Sequence, residues 1–286
     1  MAGIGLAVAV SSAGGTGNIW GKLSNSSVFR KDASEPSSEF SETELDRRGP
    51  QEQAELLLER AVSRSDGATD EIEARVDGWR GKLKWNNHLG QLTTAALNSS
   101  DTGVRNSAIE VQLAAYGLTK SQPTVDALVK QASSPDHTKK IWAFWGLGLL
   151  ANRGVATDRV VQVLAAQLKE PDRADRSSED TRRWAVEGLA LVGTTPTIAP
   201  LLDAMRNDPS ALVRERAACS LAQSGMLTRG QRLIAVPRLI DYAEDPALDA
   251  QTRGWAFQAL ADITRQRLPN DSAAWRNWYQ NNSAEN

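Results

Sequence analysis

Cysteine is nearly absent from this chain: Cys219 stands alone among 286 residues. A single thiol excludes an intrachain disulfide and a cysteine zinc site, and it leaves the redox compartment unmarked. Histidine is almost as scarce, with only His88 and His137. That excludes a His-rich metal cluster and a two-His site within a short span, so no metal and no cofactor is expected. Neither sign of charge dominates, since 33 basic residues face 35 acidic ones. The balance argues against a basic nucleic-acid domain, although a local patch can hide within such a total. Gly14-Gly15-Thr16-Gly17 lacks the Lys and the strand–helix context of a phosphate loop. No Gly-x-Ser-x-Gly elbow and no His-Glu-x-x-His stretch occurs. No apolar–polar alternation runs between turn residues, which excludes an all-β reading.

What the chain does have is a repeat. A capping residue is followed four positions on by Lys or Arg and three further by Ala. The copies are Asp101–Arg105–Ala108, Asp136–Lys140–Ala143, Ser178–Arg182–Ala185, Ser210–Arg214–Ala217 and Asp249–Arg253–Ala256. Four continue with Leu and a small residue: Leu147-Gly148, Leu189-Ala190, Leu221-Ala222 and Leu260-Ala261. The basic residues are 35, 42, 32 and 39 positions apart. A period in this range signals stacked helical repeats. Each Asp or Ser can accept a hydrogen bond from a first-turn amide, worth about 1 kcal/mol. The Ala and Leu mark a buried stripe. The cation sits near a helix start, where the dipole disfavours it, so acidic residues in the preceding turns are expected to hold it.

First helices are visible at Val125–Val129, Val160–Leu168, Ile198–Met205 and Leu233–Tyr242. Pro200 and Pro237 lie within two of them and should bend them. Gly117, Gly154, Gly193 and Gly225 mark the turns, as glycine does just past a helix end. Residues 170–180 are expected as a surface loop. Residues 51–84 read as two N-terminal capping helices, with apolar faces at Ala54, Leu57, Leu58, Ala61 and Val62, then at Ile72, Val76, Trp79 and Leu83. Residues 85–268 form the repeat domain. In 269–286, Trp275, Trp278 and Tyr279 share one helical face and are expected to cover the last repeat. Residues 1–20 are apolar but lack a basic n-region. They read either as a truncated signal or anchor, or as a disordered apolar tail. Residues 21–50 read as a disordered tether, rich in Ser and charge. The pair suggests a bacterial envelope protein, membrane-tethered or periplasmic, in preference to a cytoplasmic one.

The segment Asp208-Pro209-Ser210-Ala211-Leu212-Val213-Arg214-Glu215-Arg216-Ala217-Ala218, followed by Ser220-Leu221-Ala222, resembles the HEAT-repeat superfamily. Within it, the likeness is greatest to the short repeats of the phycobiliprotein lyase-like (E–Z) class. The Pro-containing helix Ala235-Val236-Pro237-Arg238-Leu239-Ile240 fits the same pattern. Gln112 departs from it, standing where the first copy should have Leu. The resemblance implies an all-α fold: a right-handed HEAT-like α-solenoid of about five helix pairs plus N-terminal capping helices. It implies a curved binding surface and no activity of its own.

Positions one, five and nine after the basic residue vary between copies and form one stripe on the second helices. The resemblance implies that this stripe faces the groove. Its candidate partner-binding residues are Ile141, Trp145, Leu149, Arg183, Glu187, Glu215 and Gln258. Ile141, Trp145 and Leu149 are apolar where neighbouring copies are polar, the composition of an interaction hot spot; coverage by another element is the alternative. Trp142, Trp184 and Trp255 read as packing between repeats. Glu187 reads as an ion-paired helix residue or a general acid–base, and Cys219 as a partly buried thiol. The expected function is a monomeric, non-catalytic scaffold for a protein partner. The alternatives are a HEAT-type nucleic-acid binder, and a lyase-like assistant holding a flat chromophore between Trp145 and Trp184.

Overall fold

The computed structural model describes residues 45–169, 176–223 and 225–282. The expectations for residues 1–44, for 170–175 and for the tail at 283–286 lie outside them. Helices α1 (Pro50–Val62) and α2 (Ala68–Trp79) pack on each other. They bury Ala54, Leu57, Leu58 and Ala61 against Ile72, Val76 and Trp79, the faces expected from the 3.6-residue period. The indole Nε1 of Trp79 donates to Gln53 Oε1 at 2.9 Å. Ordered packing begins before residue 51, because Leu45 is buried in the same core and its carbonyl accepts from Gln53 Nε2. The tether assigned to 21–50 is therefore too long at its C-terminal end.

Five antiparallel pairs follow: α3 (Asn87–Leu97) with α4 (Thr102–Ala115), α5 (Gln122–Ala132) with α6 (His137–Asn152), α7 (Thr157–Gln167) with α8 (Arg176–Val192), α9 (Ile198–Asn207) with α10 (Ala211–Ala222), and α12 (Val236–Glu244) with α13 (Ala250–Thr264). A short helix, α11 (Arg229–Leu233), precedes α12. No strand occurs among the described residues. No described helix is long and apolar enough to cross a membrane. The fold is an all-α solenoid.

The repeat motif explains these helices. Side chains of Asp101, Asp136, Ser210 and Asp249 cap the amides of Val104, Lys139, Val213 and Thr252. The motif Ala and Leu residues are fully buried. Gly117, Gly154, Gly193 and Gly225 all adopt positive φ after second helices. Two local expectations fail. Ser178 is not a cap, because α8 already starts at Arg176 and runs through the last residues assigned to the 170–180 loop. Pro200 and Pro237 fall in the first turns of α9 and α12, where a missing N–H breaks no helical bond, so neither has to bend its helix.

The second helices stack side by side, most closely at α6 and α8. A Cβ on Gly148 would meet Gly188 O at 2.6 Å, and one on Gly188 would meet Phe144 O at 2.9 Å. The small residue after the motif Leu is thus a backbone contact between neighbouring repeats. The first pair departs from this order. Two apolar cores exist, one spanning Leu45 to Ala114 and one spanning Ile109 to Trp275. Helix α4 serves both: Val104, Ala108, Val111 and Ala114 face the first, Ile109 and Leu113 the second. Glu110 meets Arg153 at the end of α6, whereas Tyr116, just past the end of α4, meets Trp142 and Trp145, earlier in α6. The two helices therefore pass in opposite senses, while Gly148 against Gly188 places α6 and α8 in parallel register. Helices α1 to α4 form one packed unit, and the regular solenoid begins at α5.

At the other end, α14 (Ser272–Asn282) packs on α12. Trp275 is buried there, with its Nε1 donating to Pro269 O at 3.0 Å. Arg276 pairs with Asp241 and Glu244 on α12.

Candidate interaction surface

Two of the motif cations, Arg182 and Arg214, tie neighbouring repeats together, and among the described residues their carboxylate partners lie in a turn that follows. Arg182 on α8 reaches forward to Asp208, in the turn before α10, with Nε–Oδ2 2.8 Å and Nη2–Oδ1 3.3 Å. Both side chains are only 1% exposed. Arg214 on α10 reaches Asp249, the cap of α13, at 3.2 Å, and donates to Thr252 Oγ1 at 3.0 Å. Its Nη1 also bonds the carbonyls of Asp208 and Pro209 in its own turn. Each cation thereby leans away from its own positive helix start toward the acid of the next repeat. Arg253 bonds Leu248 O, and Arg105 bonds Thr102.

The variable stripe separates into three classes. Glu215 and Gln258 are exposed. Arg183 and Glu187 are half-buried and engaged: Arg183 binds Asp180 at 2.8 Å and lies 5.4 Å above the Trp184 ring, and Glu187 meets Arg216 of the next repeat at 2.8 Å. Burial pushes the Glu187 carboxyl up, and Arg216, then Arg183, draw it back. This geometry fits an inter-repeat ion pair. Ile141 and Trp145 are half-buried. Leu149 is fully buried, so it cannot face a partner as expected; the close approach of α6 and α8 draws that end of the stripe into the core. Trp142, Trp184 and Trp255 are half-buried against the solenoid core. Cys219 is partly buried.

Other polar clusters are committed to structure. His137 lies between Ser177 Oγ, 3.5 Å from Nδ1, and Asp180 Oδ2, 3.4 Å from Nε2, but Asp180 already accepts two bonds from Arg183. No group of three metal-ligating side chains occurs among the described residues.

One feature was invisible in the repeat pattern. Trp85, in the link between α2 and α3, stacks on Tyr116 at 5.1 Å between ring centroids. Tyr116 in turn meets Trp145 edge-on at 4.9 Å and Trp142 at 6.3 Å. Trp85 remains 40% exposed. Neither Trp85 nor Tyr116 occupies a motif position, so only the tertiary crossing of α4 and α6 brings the four rings together. Toward the other end of α6, the buried Glu110 carboxylate binds Arg153 at 2.6 Å and Lys120 at 3.0 Å.

Burial pushes the Tyr116 phenol from 10.0 up to about 12. Between those values the unfolded chain has released a proton that the folded chain retains. Tyr116 therefore makes stability fall as pH rises through that window. Ultraviolet difference titration of the wild type against Tyr116→Phe is expected to show the missing phenolate step well above the ordinary tyrosine range. A step at the ordinary value means that the cluster does not enclose the phenol.

Two likenesses to known proteins accompany this geometry. A family model described as HEAT repeats matches residues 172–261, from the segment ahead of α8 into α13. Phycocyanobilin lyase subunit alpha of Picosynechococcus sp. is 32% identical over 101 residues, which is 35% of this chain and 36% of that protein. The match spans only about a third of the relative's length.

Proposed function

We infer that this chain of HEAT repeats, close in kind to lyase-like repeats, is a non-catalytic scaffold that holds a protein partner. The partner sits on the rings of Trp85, Tyr116, Trp142 and Trp145, with Ile141 beside them. The observation that carries the reading is this accessible aromatic cluster at the seam between the two cores. Exposed or half-exposed Trp and Tyr rings over a packed base supply large contact area at little entropic cost, and hot spots are enriched in them. The ion pairs along the remaining stripe, Glu187–Arg216 and Arg183–Asp180, support a preformed surface.

A photo-crosslinker at Ile141 in the full chain is expected to capture one enriched protein from lysate of the source organism. The same probe at Arg238, exposed on α12, is expected to capture none. Trp85→Ala combined with Trp145→Ala is expected to cost about 2–4 kcal/mol of binding, a loss of at least about thirtyfold. Equal capture from both probe positions, or capture insensitive to the two substitutions, removes the reading.

The relative's name favours a second reading, in which the same rings hold a flat conjugated ligand of the phycocyanobilin kind. Trp145 packs against Tyr116, and Trp184 carries Arg183 over its ring. Such a ligand would therefore lie on the Trp85–Tyr116 face and not between Trp145 and Trp184. Quenching of tryptophan fluorescence by phycocyanobilin, abolished by Trp85→Ala, would select this reading over the scaffold.

A further inference from the structure

The three stretches that meet in the aromatic cluster contain no acid. Residues 78–100 bring Trp85, 111–125 bring Tyr116, and 137–157 bring Trp142 and Trp145. Together they hold seven Lys or Arg and neither Asp nor Glu, in a chain whose net charge is −2. Five of the nine lysines fall here, and none occurs after Lys169. Carboxylates reach this region from neighbouring elements: Glu55 Oε1 on α1 accepts from Asn86 Nδ2 at 2.9 Å, and Asp180 on α8 lies 3.4 Å from His137 Nε2. Asp77 takes Arg80 at 2.6 Å, Asp136 takes Lys139 at 3.6 Å, and Glu110 is shared by Arg153 and Lys120. Lys82, Lys84 and Lys140 form no ion pair among the described residues, and Lys82 and Lys84 are exposed on either side of Leu83, next to Trp85.

Building on the scaffold reading, we propose that the partner segment seated on this cluster is acidic: a stretch of polypeptide with Asp or Glu flanking one large apolar side chain. The apolar group packs on Trp85 and Trp145, and the carboxylates face Lys82 and Lys84. Lone cations around an apolar centre steer an acidic partner and set its orientation, with an affinity that falls with salt. A single-stranded nucleic acid fits less well. Base stacking needs free ring faces in succession, whereas here Trp85 stacks on Tyr116, and Trp142 and Trp145 meet it edge-on.

The test uses the full chain and a fluorescent peptide of about a dozen residues, Glu and Asp around a central Phe-Leu. The comparators are its lysine counterpart and an oligothymidylate of equal length. The acidic peptide is expected to bind best, and its affinity to drop about tenfold between roughly 50 mM and 300 mM salt. Lys82→Glu with Lys84→Glu is expected to weaken it at least about tenfold, and the neutral pair Lys82→Gln with Lys84→Gln to fall between. Both sites are exposed, and helical circular dichroism verifies the fold. Preference for the lysine peptide or the oligonucleotide, indifference to charge reversal, or no binding by about 1 mM peptide overturns the proposal. If the double reversal still captures the protein crosslinked at Ile141, the scaffold reading stands and the acidic partner falls. If the acidic peptide binds with the expected charge dependence but no protein is captured, the scaffold reading falls and the acidic protein partner falls with it, leaving only the charge preference of the surface.

Discussion

Asp208→Ala is expected to lower the stability of the solenoid by about 3–5 kcal/mol, the cost of removing one partner from a buried ion pair. The Arg182 guanidinium is 1% exposed, and alanine strips it of two charge-assisted bonds without letting water in. Asp208 has a second duty: its Oδ1 accepts from the Ser210 amide at 2.9 Å and so shapes the start of α10. Loss of the carboxylate therefore loosens the α8–α10 contact and the next helix start together. At about 2–4 °C per kcal/mol for a domain of this size, the melting point should fall by roughly 10 °C. Asp208→Asn keeps an acceptor for Ser210 and should lose less. Asp241→Ala, at a solvent-screened site with Arg238 3.9 Å and Arg276 3.3 Å away, should change the melting point little. Chemical denaturation of the three variants decides the matter. A loss under about 1 kcal/mol for Asp208→Ala would mean that water reaches Arg182 and the pair does not lock the repeats.

Why the motif cation reaches forward was only half legible in the sequence. Its recurrence near each helix start, against the dipole, required a partner, and Asp208 stood in the very segment that carried the family likeness. What the one-dimensional pattern could not tell is which turn lies beside the cation once the repeats stack. Caps, turn glycines and the Ala and Leu stripe were readable because each depends on residues within one or two helical turns. The crossing of α4 over α6 was not, since it depends on two cores competing for one helix. The sole hint was Gln112, buried at the position where other copies have Leu, with its Oε1 unpartnered among the described residues. That crossing brings Tyr116 onto Trp142 and Trp145, and the packing of α6 takes Leu149 off the expected stripe into the core. The second helices supply part of the surface, through Ile141, Trp142 and Trp145. The rest comes from a link and a helix end that no repeat alignment marks.

The other large effect is expected at Gly193→Ala, about 3 kcal/mol of lost stability, from two causes that act together. Gly193 has φ +63°, a region that costs an L side chain about 1 kcal/mol or more. A Cβ there would also lie 2.3 Å from Met226 Cβ and 2.7 Å from its carbonyl carbon. An overlap of that size is relieved only by moving the Met226 backbone, and that backbone is held from several sides. Its amide donates to Ala190 O at 2.8 Å. The adjacent Gly225 sits so close that a Cβ on it would be 2.9 Å from the same carbonyl. Arg232, buried and lowered to about 10 mainly by desolvation, grips the turn through the carbonyls of Ala222, Gln223, Gly225 and Leu227. Overpacking against a turn that cannot yield typically costs about 1–3 kcal/mol. Gly254→Ala is the contrasting case: it lies inside α13 with nothing within 4 Å of the new methyl. It should raise stability by about 0.5–1 kcal/mol, because alanine loses less backbone freedom in a helix. Denaturation midpoints test both signs, and hydrogen exchange at the Met226 amide locates the damage, where protection should fall in Gly193→Ala and persist in Gly254→Ala. Were both substitutions to stabilise, the ends of α8 and α10 would have to stand further apart than this geometry places them, and the turn at 225–227 would not be a rigid joint between repeats.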